Sequence, residues 1–367
     1  MRAAAAELGL TVEDFTGRVK QSPTLARVLG PLRLASGTVQ RQVFQEGFAE
    51  VVRTLRLDEG TGKVQPSVVI VNPFSGHIGS VLAIAVSPDG LQAASGGDDR
   101  SVRLWDVATG RELRRFEGHT GEVTALAFTP DGKRLVSGAG DRTVRLWDVT
   151  TGKELRCLRG HTDRVRAVAI SADGKRFASA ADDRTIRLWN ADTGAALATL
   201  TGHARPVNAV AFSPDGRRLL SAGQDGTLRL WDTASPGELR SLEGHTRAVH
   251  GIAFAPDGRR ALSGGDDRTV RLWDLESGRE LRRFEGHVNA VIRVAFAPGG
   301  KHALSASSQY RTVDRILRVW DLDSGREMQS LGSVEEASVG CVALLPNGRG
   351  ALSGGAGGSI RLWRLSK

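Results

Sequence analysis

Gly265-Asp266-Asp267-Arg268-Thr269-Val270-Arg271-Leu272-Trp273-Asp274 recurs along this chain with small changes, the copies closing at Asp106, Asp148, Asn190, Asp232, Asp274, Asp321 and Arg364. Each copy puts a Trp one residue before its end: Trp105, Trp147, Trp189, Trp231, Trp273, Trp320 and Trp363 are all the Trp in 367 residues. The intervals between them are 42, 42, 42, 42, 47 and 43 residues. A fixed period of this length marks an array of like units, each too small to hide its own apolar faces.

One unit can be followed over residues 118–160. Gly118-His119-Thr120 opens it. Val123, Ala125 and Ala127 alternate with Thr124, Leu126 and Phe128, which predicts a strand buried on both faces. Pro130-Asp131-Gly132 and Gly140-Asp141-Arg142 read as tight turns, with a second strand over 135–138 between them. A third strand spans 143–148, Thr151-Gly152 turns the chain, and a fourth spans 154–158. Four short antiparallel strands without a helix make a small twisted sheet.

The Gly-His dipeptide recurs at His77, His119, His161, His203, His245 and His287, five times 28 residues before the Trp and once 33 residues before it. With the terminal Trp-Asp, this pattern resembles the WD40-repeat β-propeller family, and the near-identical repeats resemble its bacterial members. Leu113 to His119 and Leu281 to His287 are both LRRFEGH. The fold implied is all-β: a closed seven-bladed propeller of four-stranded blades over residues 64–367, with a short α-helical extension over 1–63. The resemblance also implies that a His, a Ser, an Asp and the Trp of each blade form one hydrogen-bonded chain. The matching sets are His77, Ser95, Asp99, Trp105; His119, Ser137, Asp141, Trp147; His161, Ser179, Asp183, Trp189; His203, Ser221, Asp225, Trp231; and His245, Ser263, Asp267, Trp273. An indole N–H only donates, whereas a hydroxyl accepts and donates, so the residue types suit such a chain. These His and Asp are then structural, and neither catalytic residues nor metal ligands are expected.

The last unit stops four residues after Trp363 and lacks a fourth strand, while residues 68–74 precede the first Gly-His and place Phe74 where later units have Phe116 and Leu158. Residues 68–74 are expected to close the ring as that missing strand. The sixth unit carries five extra residues within 307–312, including Tyr310 and Arg311, and keeps His287, Asp314 and Trp320. The seventh has Glu335 and Gly357 at the His and Asp offsets.

By the resemblance, the loops before the first strand and between the second and third share one face. Arg164, Arg166, Asp182, Asn208, Gln224, Arg247, His250 and Asp266 fall there, a varied polar set inside a uniform framework. Variation of that kind is what a partner-binding surface needs, since loops on rigid scaffolds carry function. The opposite turns are basic, with Lys133-Arg134, Lys175-Arg176, Arg217-Arg218, Arg259-Arg260 and Lys301-His302, but Asp131, Asp173, Asp215 and Asp257 stand among them and no aromatic residue interleaves.

Before the repeats, Ser22-Pro23 and Gly30 bracket a predicted helix, and Phe44, Phe48, Val51, Val52 and Leu55 share one helical face. Gly60-Thr61-Gly62-Lys63 lacks the first glycine and the hydroxyl of a phosphate loop and reads as linker. Net charge is +9, which favours anionic partners without defining a fold. Cys157 and Cys341 sit at unlike positions, so a reducing, cytoplasmic setting is expected. Glu7 interrupts the N-terminal apolar run, no stretch approaches the roughly 18 apolar residues of a membrane span, and no hydrolase, zinc-protease, nucleotide or kinase motif occurs. The function expected is a non-enzymatic scaffold, without cofactor, presenting loop faces to partner proteins in signalling or complex assembly. A nucleic-acid-associated protein using the basic turns is the alternative.

Overall fold

A computed structural model describes residues 69–297, 299–307, 317–331, 339–346 and 350–364. The predicted N-terminal helices, the five-residue insertion with Tyr310, Arg311 and Asp314, and Glu335 lie outside the described residues.

Among the described residues there are seven four-stranded antiparallel sheets. Blade two shows the pattern: Val123–Phe128 innermost, then Arg134–Ala139, Val144–Asp148 and Glu154–Leu158 outermost. Consecutive strands are neighbours because each connection is a turn of a few residues. In blades one to five the turn ahead of the third strand uses a left-handed residue. Arg142 stands there at φ 67° and Gly226 takes the same place in blade four at φ 80°. An Arg in that region costs more than a Gly would, so the turn is enforced by its surroundings. Asp141 supplies that enforcement, accepting from the Thr143 N–H at 3.0 Å and the Thr143 hydroxyl at 2.7 Å.

The seventh blade takes its outermost strand from the other end of the chain. Val69–Phe74 pairs with Ile360–Arg364, setting Val69 opposite Arg364, Ile70 opposite Trp363 and Phe74 opposite Ile360. The innermost strands neighbour one another in cyclic order, with that of blade seven, Val339–Leu344, next to Val81–Val86 of blade one. The ring therefore closes through both strand exchange and blade-to-blade packing.

The core lies between blades. Ala94, Val102, Leu104 and Phe116 of blade one pack with Val123, Leu135, Trp147 and Val149 of blade two, and equivalent clusters recur around the ring. At the seam, Phe74, Val81, Trp105, Leu352, Ile360 and Leu362 join both ends of the chain. Which strand is buried on both faces differs from the sequence expectation. It is the second, Arg134–Ala139, buried at every residue but its first, while the innermost strand is only half-buried. The innermost strand borders the axis, so one of its faces has no neighbouring sheet.

Each innermost strand carries a bulge at its second residue, the register shifting between Val81 and Ala83, Val123 and Ala125, Val165 and Ala167, Val207 and Ala209, Val249 and Gly251, Val291 and Arg293, and Val339 and Cys341. A bulge leaves one residue out of the ladder and re-aims its side chain. Those residues are Leu82, Thr124, Arg166, Asn208, His250 and Ile292 in blades one to six and Gly340, without a side chain to aim, in blade seven.

Candidate functional site at the mouth of the axis

The repeated His, Ser, Asp and Trp residues divide cleanly from the variable ones. In blade two the Trp147 indole N–H donates to Ser137 Oγ at 2.8 Å, Ser137 Oγ lies 2.7 Å from His119 Nε2, and His119 Nδ1 lies 2.9 Å from Asp141. The Thr120 N–H also donates to Asp141, at 2.9 Å. The same links join His77, Ser95, Asp99 and Trp105 in blade one. They join His161, Ser179, Asp183 and Trp189 in blade three, and His203, Ser221, Asp225 and Trp231 in blade four. In blade five they join His245, Ser263, Asp267 and Trp273. In blade six Ser305 still bridges His287 at 2.6 Å and Trp320 at 2.8 Å. In blades one to five, with Nδ1 donating to the carboxylate, Nε2 accepts from the serine, so the indole, the hydroxyl and both imidazole nitrogens are all partnered.

Burial raises the Asp99 carboxyl, but the hydrogen bonds from His77, Ile78 and Ser101 outweigh it and hold the group at about 2 against an ordinary 3.8. Asp141, Asp183, Asp225 and Asp267 are likewise lowered, burial again opposed by the imidazole and backbone or threonine donors. A lowered carboxyl contributes stability that is present above its unfolded value and lost as pH falls through its folded value. Burial also lowers the His77 imidazole, so its protonation opposes folding in the same direction. Denaturant melts are thus expected to show stability falling steeply below pH 4, by ~2 kcal/mol for each such Asp. Asp141→Asn should be less stable at pH 7 and have a shallower acid dependence; parallel pH profiles for the variant and the parent would contradict this.

The variable residues gather where the innermost strands meet. A cavity of about 220 Å³ is lined by Leu82, Thr124, Arg164, Arg166, Asn208, His250, Ile292 and Arg293. Six of these eight are the bulged residues themselves, which is why one side chain from each of six blades reaches the same space. Arg166 is held by a two-pronged pair with Asp182, one prong 3.0 Å long. Arg164 pairs with Glu122 of the preceding blade at 2.9 Å. Blades four and five are joined by a hydrogen-bonded relay: Gln224 Nε2 donates to Asn208 Oδ1 at 3.4 Å, and Asn208 Nδ2 donates to the Val249 carbonyl at 2.9 Å and lies 3.3 Å from His250 Nδ1. His250 Nε2 completes it, 2.7 Å from Asp266. Of the eight residues singled out from the sequence, Arg164, Arg166, Asn208 and His250 line the cavity, and Asp182, Gln224 and Asp266 are one hydrogen bond away. Arg247 is exposed and stands outside it.

Arg293 escaped the sequence reading. The residue just after the bulge is Ala83, Ala125, Ala167, Ala209, Gly251 or Cys341 in the other blades. A charged residue in a column of small ones is the signal that would have found it. Gly251 has a matching reason: a Cβ there would meet Arg293 Cα at 2.9 Å.

The basic turns on the opposite face are not a row of free cations. Arg134 donates to the Ala191 carbonyl at 3.0 Å and to Asp192 at 2.9 Å, two blades' turns being tied together. Arg176 donates to the Gly216 carbonyl at 3.0 Å, Arg218 to that of Gly258 at 2.7 Å and Arg260 to that of Gly300 at 3.3 Å. One arginine per turn is thus a clamp between neighbouring blades, leaving Lys133, Lys175, Arg217 and Arg259 exposed beside Asp131, Asp173, Asp215 and Asp257.

Among the described residues no group of His, Cys, Asp and Glu is arranged to hold a metal ion, and no helix is long and apolar enough to cross a membrane. Comparison with known proteins agrees with the repeat. The ribosome biogenesis protein ERB1 of Meyerozyma guilliermondii is 50% identical over 40 residues, 11% of this chain and 5% of that protein. Erb1 of Aspergillus fumigatus is 58% identical over 40 residues, and ERB1 of Yarrowia lipolytica 55% over 42, with the same shares covered. This chain therefore spans about 5% of the length of these curated relatives, one repeat's worth. These relatives are fungal, so the bacterial flavour of the resemblance has no support from them. The cytoplasmic placement is corrected as well. The relatives carry a ribosome-biogenesis name, and unpaired cysteines report a reducing environment, which nucleus and cytosol share. The model of the WD domain, G-beta repeat matches residues 68–106, 110–148, 152–190, 194–232, 237–274, 278–321 and 326–364, one match to each blade. With seven matches in register over most of its length, the chain belongs to the WD domain, G-beta repeat family.

Proposed function

We propose that this chain is a non-catalytic interaction platform whose axial mouth docks a partner protein during assembly of a larger complex. One observation carries the reading: the bulged position, invariant in backbone, holds Leu, Thr, Arg, Asn, His and Ile in six successive blades around one cavity. A framework this repetitive has no structural need for six different side chains there. The relay from Gln224 to Asp266 fixes their orientation, which lowers the ordering cost of binding. The WD repeat itself supports a scaffold, and the name of the relatives makes a ribosome-assembly complex one setting in which to look.

Affinity capture with the full chain tests this. Asn208→Ala with His250→Ala is expected to weaken a captured protein at least about 10-fold, as loss of a central polar anchor does, while the melting temperature stays within a few degrees. Capture that is indifferent to this pair, or abolished by nuclease and restored by RNA, would remove the reading and move function to the basic turns.

A further inference from the structure

We propose that the axial cavity is a carboxylate site: Arg293 receives an Asp or Glu side chain that the docking protein inserts along the propeller axis. The proposal rests on the axial mouth being the docking surface and names what is recognised there.

The cavity contains three cationic side chains, two of them already compensated. Arg166 holds Asp182 and Arg164 holds Glu122. Arg293 has no carboxylate partner among the described residues; its Nη1 donates to the Ile292 carbonyl at 2.9 Å, a neutral acceptor in its own strand. A guanidinium carries five N–H donors in a planar fork, and one backbone bond leaves most of them unused. Cys341 is the ionisable side chain that acts on it electrostatically, and as a neutral thiol it offers no countercharge. Its thiol is buried, faces the Val81 and Gly354 carbonyls at 3.5 and 3.6 Å, and is pushed up by burial to about 12. Burial likewise pulls Arg293 below its ordinary value, and the half-buried side chain leaves its remaining N–H donors open to an entering anion.

The rest of the lining decides which anion. His250 presents its Nε2 to Asp266, and Asp182 and Glu122 stand just behind Arg166 and Arg164. Three arginines thus stand against three carboxylates, so the lining is balanced overall while Arg293 is the cation with no carboxylate in contact among the described residues, a setting for one added negative charge rather than two. A carboxylate brings a single negative charge and two oxygens that match the guanidinium fork. A phosphate brings nearly two charges and would meet those three carboxylates. Leu82 and Ile292 on the wall suit the methylenes of an acidic side chain.

The test uses the full chain labelled with ¹⁵N and follows the arginine side-chain Nε–H resonances. The Arg293 signal is identified by its loss in Arg293→Met. Sodium acetate, at constant ionic strength set with chloride, is expected to shift that signal saturably and to leave Arg166 unmoved. Arg293→Lys, which keeps the charge, should bind acetate within about 10-fold of the parent, and Arg293→Met about 10- to 100-fold weaker or not at all, the range for one charge-assisted hydrogen-bonded pair, both read from the backbone amide signals of Ile292 and Val294 because neither variant keeps the Arg293 side-chain signal. Acetate shifts that survive in Arg293→Met at other signals with unchanged affinity, no saturable shift, or a stronger response to inorganic phosphate than to acetate would each overturn the assignment. Protein capture separates the two levels. A partner that needs Asn208 and His250 but ignores Arg293→Met leaves the platform standing and removes the carboxylate site. Saturable acetate binding with no partner at the mouth removes the platform alone.

Discussion

A chain lacking residues 64–75 is expected to melt at least about 10 °C below one lacking residues 1–62, and over a broader range. The closing strand does two jobs. It gives Ile360–Arg364 its second ladder neighbour, and it delivers Phe74 to the seam. Phe74 is 1% exposed and sits edge-on to Trp105, with ring centroids 5.8 Å apart. Losing a buried Phe costs about 3–5 kcal/mol before any ladder bond is counted. At about 2–4 °C per kcal/mol for a chain of this size, that alone accounts for the shift. The opened ring would also present a bare strand edge, which favours association of one chain with another. Calorimetry on the two truncations decides it; equal midpoints and equal widths would show that packing between blades seven and one holds the ring without the exchanged strand.

What could be read from the sequence, and what could not, follows from the kind of interaction involved. The blades were legible because Trp, His, Ser and Asp recur at offsets that a buried hydrogen-bond chain requires, and the exchanged strand because Phe74 occupies the place of Phe116. Alternating Val123, Ala125 and Ala127 announced a strand but not its distance from the axis, so the doubly buried strand was misplaced by one. Bulges were invisible: a bulge is a property of pairing between Val123 and Ala139, not of either residue. Arg134, Arg176, Arg218 and Arg260 read only as part of a mixed-charge set of turns, because the carbonyls that accept from them lie in the next blades. Of the residues lining the axial cavity, Arg164, Arg166, Asn208 and His250 stood out by their variation, Leu82, Thr124 and Ile292 did not, and Arg293 was hidden one residue beyond the bulge. Nothing in residue chemistry reported the cellular compartment.

The second large effect is expected from a single oxygen. Ser137→Ala should destabilise the chain by about 2–5 kcal/mol, well above the roughly 1 kcal/mol of an ordinary hydrogen bond. Ser137 is fully buried, and its hydroxyl is the shared partner of Trp147 Nε1 at 2.8 Å and His119 Nε2 at 2.7 Å. Removing it strands a donor and an acceptor together, in a place where Trp147 is 1% exposed and water has no room to substitute. Volume is nearly conserved, so a cavity contributes little and the loss reads the polar chain itself. Trp147→Phe provides the contrast: it removes the indole donor along with part of a buried ring, leaving Ser137 bonded to His119. If the serine is the hub, Ser137→Ala combined with Trp147→Phe should cost less than the sum of the two single losses, because the indole can be orphaned only once. Strict additivity in chemical denaturation, or a Ser137→Ala cost below about 1 kcal/mol, would mean that the blade is held by its apolar packing and that the recurring His, Ser and Trp are bonded without being needed.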